Sequence, residues 1–224
     1  MYEELVVPEM SVPFWDGNNL LVSLGRFDEA IDELKRALEL DPLSIIINTD
    51  LGRTYYFARR YDEAVEQFRK ALEMDPGFYF IHRNFGCVLE MKGAFAAAIE
   101  QYQKARALND DSQILALLAH AYASSGNKAE AMKILEQLKE LSKQRYVCAY
   151  SLATVCIGLG DKEEALRWLQ KGYEERAGGQ LARIKVDPFL DPLRGDPRFE
   201  ALAEKVIHEA RFQELSESQV MPRS

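Results

Sequence analysis

The stretch Arg59–Pro76, RRYDEAVEQFRKALEMDP, decides how this chain is read, because the chain contains it twice. The earlier copy, Gly25–Pro42, reads GRFDEAIDELKRALELDP and lies 34 residues upstream. Further copies begin at Gly93 (GAFAAAIEQYQKARALND), Gly126 (GNKAEAMKILEQLKELSK) and Gly160 (GDKEEALRWLQKGYEERA), at steps of 34, 33 and 34 residues. A fixed period of this length marks an array of helical repeats.

Each period divides into two helices. In the second unit, residues 45–78, the first half carries Ile47, Leu51, Thr54, Tyr55 and Ala58 at helical spacing. The second half does the same with Tyr61, Ala64, Val65, Phe68, Ala71 and Leu72, and Pro76 ends it, since proline cannot continue a helix. Ala30, Ala64, Ala98, Ala131 and Ala165 share one place, where a methyl group lets the two helices of a hairpin approach. Gly52, Gly86, Ala119 and Ala153 are the small partners on the facing helix. Bulky residues fill the remaining space at two shared positions: Tyr55, Leu89, Tyr122 and Cys156 at one, and Leu34, Phe68, Tyr102, Leu135 and Leu169 at the other. One hairpin cannot bury both faces, so hairpins must stack. Asn127 with Glu130 and Asp161 with Glu164 have capping-box spacing, whereas Arg26 and Arg60 take the cap position in the first two units and predict less well defined starts.

Leu51-Gly52, Tyr55, Tyr61, Ala64, Phe68, Ala71 and Pro76, repeated with variation over residues 11–176, resemble the tetratricopeptide repeat. The resemblance implies an all-α fold, a right-handed superhelix of stacked helix hairpins. Five units are expected, at 11–44, 45–78, 79–111, 112–145 and 146–176. The first is degenerate: Pro13, Gly17, Asn18 and Asn19 are poor helix formers, so its leading helix should be short. Residues 1–10 form an arm without a clear pattern.

After Arg176 the period stops. Asp187-Pro188, Asp191-Pro192 and Asp196-Pro197 are turn or helix-start signals. Phe199, Leu202, Val206 and Ile207 then make an apolar stripe. An open stack exposes a hydrophobic end, so residues 177–213 are expected to form a C-terminal helical cap over Leu166 and Leu169, with 214–224 a polar tail. Long stretches, such as WLQKGYEERAGGQLARIKVDPFLDPLRGDPRFEAL, also resemble the C-terminal repeat region of multidomain bacterial signalling proteins, where it follows a Ser/Thr kinase, cyclase or winged-helix regulator domain. That resemblance brings no catalytic residues.

Composition narrows the function classes. Asp and Glu number 36 against 28 Lys and Arg, a net charge of −8 that disfavours nucleic-acid phosphates and anionic lipid as partners. No apolar run is long enough to span a bilayer, and MYEELVVPEM has no basic-then-apolar leader pattern. Three cysteines without a C-x-x-C pair, and three dispersed histidines, predict a cytoplasmic protein without a disulfide framework, metal or other cofactor. Phosphate-binding loops, nucleophile elbows and zinc-protease or kinase signatures are absent, so no catalytic residue is assigned and the chain is read as a non-enzyme.

The family resemblance places the second, fifth, ninth and twelfth residues of each unit on a concave groove. The candidate partner-binding residues are Arg53, Tyr56, Arg83, Asn84, His120 and Tyr150. Arg53 and Arg83 fall on adjacent first helices, where they can take a carboxylate of a bound chain or pair internally with Asp50 or Glu90. The clamp with which some members hold chaperone C-termini matches only at Asn19; Trp15, Asp50, Phe80 and Asn84 occupy its other positions. The expected function is a scaffold for a protein or peptide partner, the alternative being a regulatory region acting in cis on a separate effector domain. The end face near Trp15 and Leu20 is a candidate surface for self-association.

Overall fold

Five helix hairpins form where the repeat pattern places them. In the computed structural model the described residues are 17–175 and 179–218. The hairpins are α1 (Gly17–Ser23) with α2 (Phe27–Leu40), α3 (Ile45–Phe57) with α4 (Tyr61–Met74), α5 (Tyr79–Met91) with α6 (Phe95–Leu108), α7 (Ser112–Ser124) with α8 (Lys128–Ser142), and α9 (Ala149–Leu159) with α10 (Lys162–Glu174). Two 3-10 segments follow, Leu181–Arg183 and Pro188–Leu193, and then α11 (Pro197–Ser218). No strand occurs among the described residues.

The turn inside each hairpin needs one residue in the left-handed region. Gly25, Gly93, Gly126 and Gly160 supply it at φ +76°, +73°, +94° and +85°. In the second hairpin Arg59 holds the same place at φ +62°, the sole non-glycine with positive φ among the described residues. Helix starts follow local chemistry. The Asn127 and Asp161 side chains accept from the Glu130 and Glu164 amides at 3.3 and 3.0 Å, as their spacing predicts. Arg26 and Arg60 make no cap bond, yet α2 and α4 start in register. Each arginine instead reaches forward to the glutamate of the first turn, Nε to Oε1 at 2.8 Å in Arg26–Glu29 and in Arg60–Glu63. The expectation of poorly defined starts is corrected by these pairs.

The five repeat alanines are fully buried. The glycines opposite them make room for rings: a Cβ at Gly52 would lie 2.9 Å from Phe68 Cε1, and one at Gly86 would sit closer still to Tyr102. Small and large residues thus mesh diagonally, which is how a hairpin reaches interior packing density. First helices stack side by side, α3 on α5, α5 on α7 and α7 on α9. The last pair is tight because Gly158 leaves space for His120, whose Cα would lie 3.1 Å from an added Cβ.

At the amino end the described residues begin within the first unit, where α1 covers Gly17–Ser23. The expected arm and Trp15 lie outside the described residues, and Leu20 is half-buried. At the carboxyl end Asp196 accepts from the Arg198 amide at 2.9 Å, and the Arg198 guanidinium grips Glu163 through two 2.7 Å bonds. Phe199, Leu202, Val206 and Ile207 are all buried, and α11 packs on α10. That helix continues to Ser218, so residues 214–218 are helical rather than tail; 219–224 lie outside the described residues.

Candidate peptide-binding groove

The wall made by the first helices is already in contact with polypeptide. Asp187 sits between the second and fifth units: Tyr56 of α3 donates its hydroxyl to Oδ1 at 3.2 Å and Tyr150 of α9 donates to Oδ2 at 2.5 Å. The same carboxylate accepts from the Phe189 amide at 3.0 Å. Phe189 stands edge-on to His120 of α7, with ring centroids 4.8 Å apart, and tilted against Tyr56 at 6.4 Å. Asp191 receives both terminal nitrogens of Arg59, at 2.6 and 2.7 Å. Upstream, the Arg183 guanidinium lies 5.2 Å from the Phe57 ring centre, and the turn at Leu181–Arg183 also meets α1. A segment that reaches α3, α7 and α9 together lies inside the curve of their row. The residues expected as a cap therefore do two things: α11 packs on the end of the stack, and 181–193 enter the groove.

Burial sets the electrostatics. Tyr56 and Tyr150 are withdrawn from water, and this, with the Asp187 charge beside them, raises both phenol pKa values well above 10. The phenols stay neutral and act as donors. Burial alone would raise the Asp191 carboxyl, but hydrogen bonds from Arg59 and Arg194 outweigh it and hold it below the usual carboxylate value.

Beneath Phe189 lies a buried polar cluster. Glu90 accepts from Tyr102 at 2.9 Å, and its other oxygen is 2.6 Å from His120 Nδ1. Cys87, nearby on α5, donates to the Arg83 carbonyl at 3.4 Å, and burial pushes its thiol up to about 12, so it stays protonated.

Arg53 and Arg83 lie on α3 and α5, the first helices of the second and third units. Arg53 pairs with Asp50 at 3.1 Å and bonds Asn19; Arg83 bonds Gln113 at 2.8 Å and faces Asp111 at 3.7 Å. Both side chains keep 14% of their surface exposed. Their guanidinium carbons lie 5.7 and 4.4 Å from the Phe80 ring centre, so one ring takes two cation–π contacts. Loss of water lowers the Arg83 pKa. Asn84 turns inward and donates to the Phe80 carbonyl at 2.6 Å. The structure thus brings Tyr56, His120 and Tyr150 together around one segment, sets Arg53 and Arg83 both against the Phe80 ring, and gives Asn84 to the backbone of its own helix.

Sequence reading missed Arg59 and Asp187. Arg59 had a signal, since it occupies the turn position that is glycine in the other four units. Asp187 had none beyond its Asp-Pro pair, which is a turn signal in any fold. Among the described residues no group of three or more His, Cys, Asp or Glu side chains could hold a metal ion, and no helix is long and apolar enough to cross a membrane.

Sequence profiles agree with the architecture. The tetratricopeptide repeat profile matches residues 19–77 and 49–112, and a profile described as anaphase-promoting complex, cyclosome, subunit 3 matches residues 91–172. No curated protein matches the chain. Among solved structures, the fold is similar to TTC0263, a thermophilic TPR protein in Thermus thermophilus, with TM-score 0.59 and 20% identity over 77% of this chain and 95% of that one. It is also similar to MamA, with TM-score 0.50 and 25% identity over 73% and 96% of the two chains. A tetratricopeptide repeat protein from Parabacteroides merdae ATCC 43184 gives TM-score 0.50 and 19% identity over 86% and 77%.

Proposed function

The chain is a tetratricopeptide repeat protein, and on that premise we propose that it is a non-enzymatic scaffold that holds a peptide or protein segment against the concave wall of its first helices. The observation that supports this reading is the way the wall engages residues 187–191, side chain by side chain, from three separate repeats. Donors, a ring slot and a guanidinium are the parts with which a groove reads an extended segment. Arg53 and Arg83, both against the Phe80 ring and still partly exposed on the same wall, favour an acidic partner, because a guanidinium can take a carboxylate in two bonds.

The test is selection of a displayed random-peptide library on the intact chain, followed by binding of the enriched peptides to two double variants. Arg53→Gln with Arg83→Gln removes charge from the wall. Lys70→Gln with Lys104→Gln removes the same charge from the exposed faces of α4 and α6. Enriched peptides should bind the first variant about tenfold more weakly and the second unchanged. Failure to enrich any peptide, or an equal effect of both variants, overturns the reading.

A further inference from the structure

The Asp187–Asp191 contacts go beyond what covering the end of a helical stack requires. Covering needs buried apolar surface, and α11 provides it through Phe199, Leu202 and Val206. The segment before it buries apolar side chains too, Leu190 and Leu193 among them, and in addition presents two carboxylates and a ring to matched partners: Tyr56 and Tyr150 for Asp187, His120 and Tyr56 for Phe189, Arg59 for Asp191. These partners belong to the second, fourth and fifth repeats. One of them, Arg59, sits in a backbone conformation that the other four turns give to glycine.

Resting on the groove reading above, we infer that Asp187-Pro188-Phe189-Leu190-Asp191 is the resident occupant of a peptide site whose outside ligand is a protein segment of the same chemistry. Such a segment carries an acidic residue, an aromatic two positions later and a second acidic residue two further on. It enters by displacing the chain's own copy. The occupant is tethered at both ends, to α10 before it and to α11 through Gly195 after it, so it can leave the wall while α11 stays on α10. Tethering also makes it a strong competitor, because an intramolecular copy acts at an effective concentration of about millimolar or more. A free peptide therefore binds the unaltered chain weakly, and tightly only when the resident copy is loosened.

The probe is a fluorescein-labelled synthetic peptide of residues 184–195, read by fluorescence polarisation against the full chain. Asp191→Ala in the chain removes the half-exposed pairs with Arg59 and Arg194 and leaves the core and the wall intact. This variant should bind the peptide about tenfold more tightly than the unaltered chain. Replacing the peptide's own residue 187 by Asn, or adding Tyr150→Phe to the chain, should remove about tenfold of that affinity. Hydrogen exchange on the unaltered chain supplies an arm without mutation: the Leu190 amide should exchange about 100-fold faster than amides of α7, because the segment opens alone. Exchange as slow as in α7, or no gain in affinity on Asp191→Ala, overturns the inference. If library-selected peptides still bind the wall in that case, the scaffold reading stands without it; if none binds, both fall.

Discussion

Arg59 meets Asp191 in a two-bond pair, 2.6 and 2.7 Å long, across 132 residues of sequence and from a left-handed backbone at φ +62°. The two effects oppose each other. A left-handed conformation costs a residue with a side chain about 1–2 kcal/mol. Both partners are more than a third exposed, so the pair returns only about 0.2–1 kcal/mol. Arg59→Gly should therefore change global stability by less than about 1 kcal/mol in thermal melts. Exchange protection of residues 187–191 should fall in the same variant. A loss above about 2 kcal/mol would make the pair a main support of the fold, against this accounting.

Asp187 should tolerate Asn far better than Ala. Asp187→Ala leaves the Tyr56 and Tyr150 hydroxyls without their acceptor in a buried site, at about 1–3 kcal/mol for each donor left unmade. Asp187→Asn keeps one acceptor oxygen and the shape. Urea melts of the two variants should differ by at least about 1 kcal/mol in favour of Asn. Tyr56→Phe and Tyr150→Phe should be non-additive, since both act on one carboxylate.

Stability should fall steeply above about pH 10. Burial first, then neighbouring negative groups, raises the pKa of Tyr56, Tyr102 and Tyr150 well above the value of a free phenol. A folded-state pKa above the unfolded one gives a contribution fully present below the unfolded value and lost as pH rises through the folded value. Each such phenol removes up to about 1.4 kcal/mol per pH unit in that window. A spectrophotometric titration should show exposed tyrosines ionising first and these three only with loss of helical circular dichroism. Ionisation of all ten tyrosines in one step near pH 10, with helicity retained, is the contrary result.

The two hairpin glycines should differ in tolerance. Gly→Ala inside a helix gains up to about 1 kcal/mol in propensity. Against that, Gly52→Ala presses on the Phe68 ring, which can yield a few tenths of an ångström. Gly86→Ala presses harder on Tyr102, whose hydroxyl is fixed to Glu90 at 2.9 Å. Overpacking costs about 1–3 kcal/mol, so Gly52→Ala should fall near neutral and Gly86→Ala should lose up to about 2 kcal/mol. Equal chemical-denaturation midpoints for the two variants would contradict this packing.

The hairpins, the repeat alanines and the stripe on α11 were legible in the chain because each depends on neighbours three or four positions away, a spacing that sequence displays directly. The family resemblance also put Tyr56, His120 and Tyr150 on one wall. What filled that wall was not legible. Asp187-Pro188 has a local meaning as a turn, and it keeps that meaning in the structure, where Asp187 accepts from the Phe189 amide. Its second meaning, as the acceptor between α3 and α9, depends on how far the stack has curved after four repeats. That curvature is the sum of small rotations at every helix contact, among them the close approach that Gly158 gives α9 beside His120, and no single repeat encodes the total. Arg59 stood at a glycine position in plain view of the alignment of repeats. The reason for it lay 132 residues downstream, at Asp191, and only folding brings the two together.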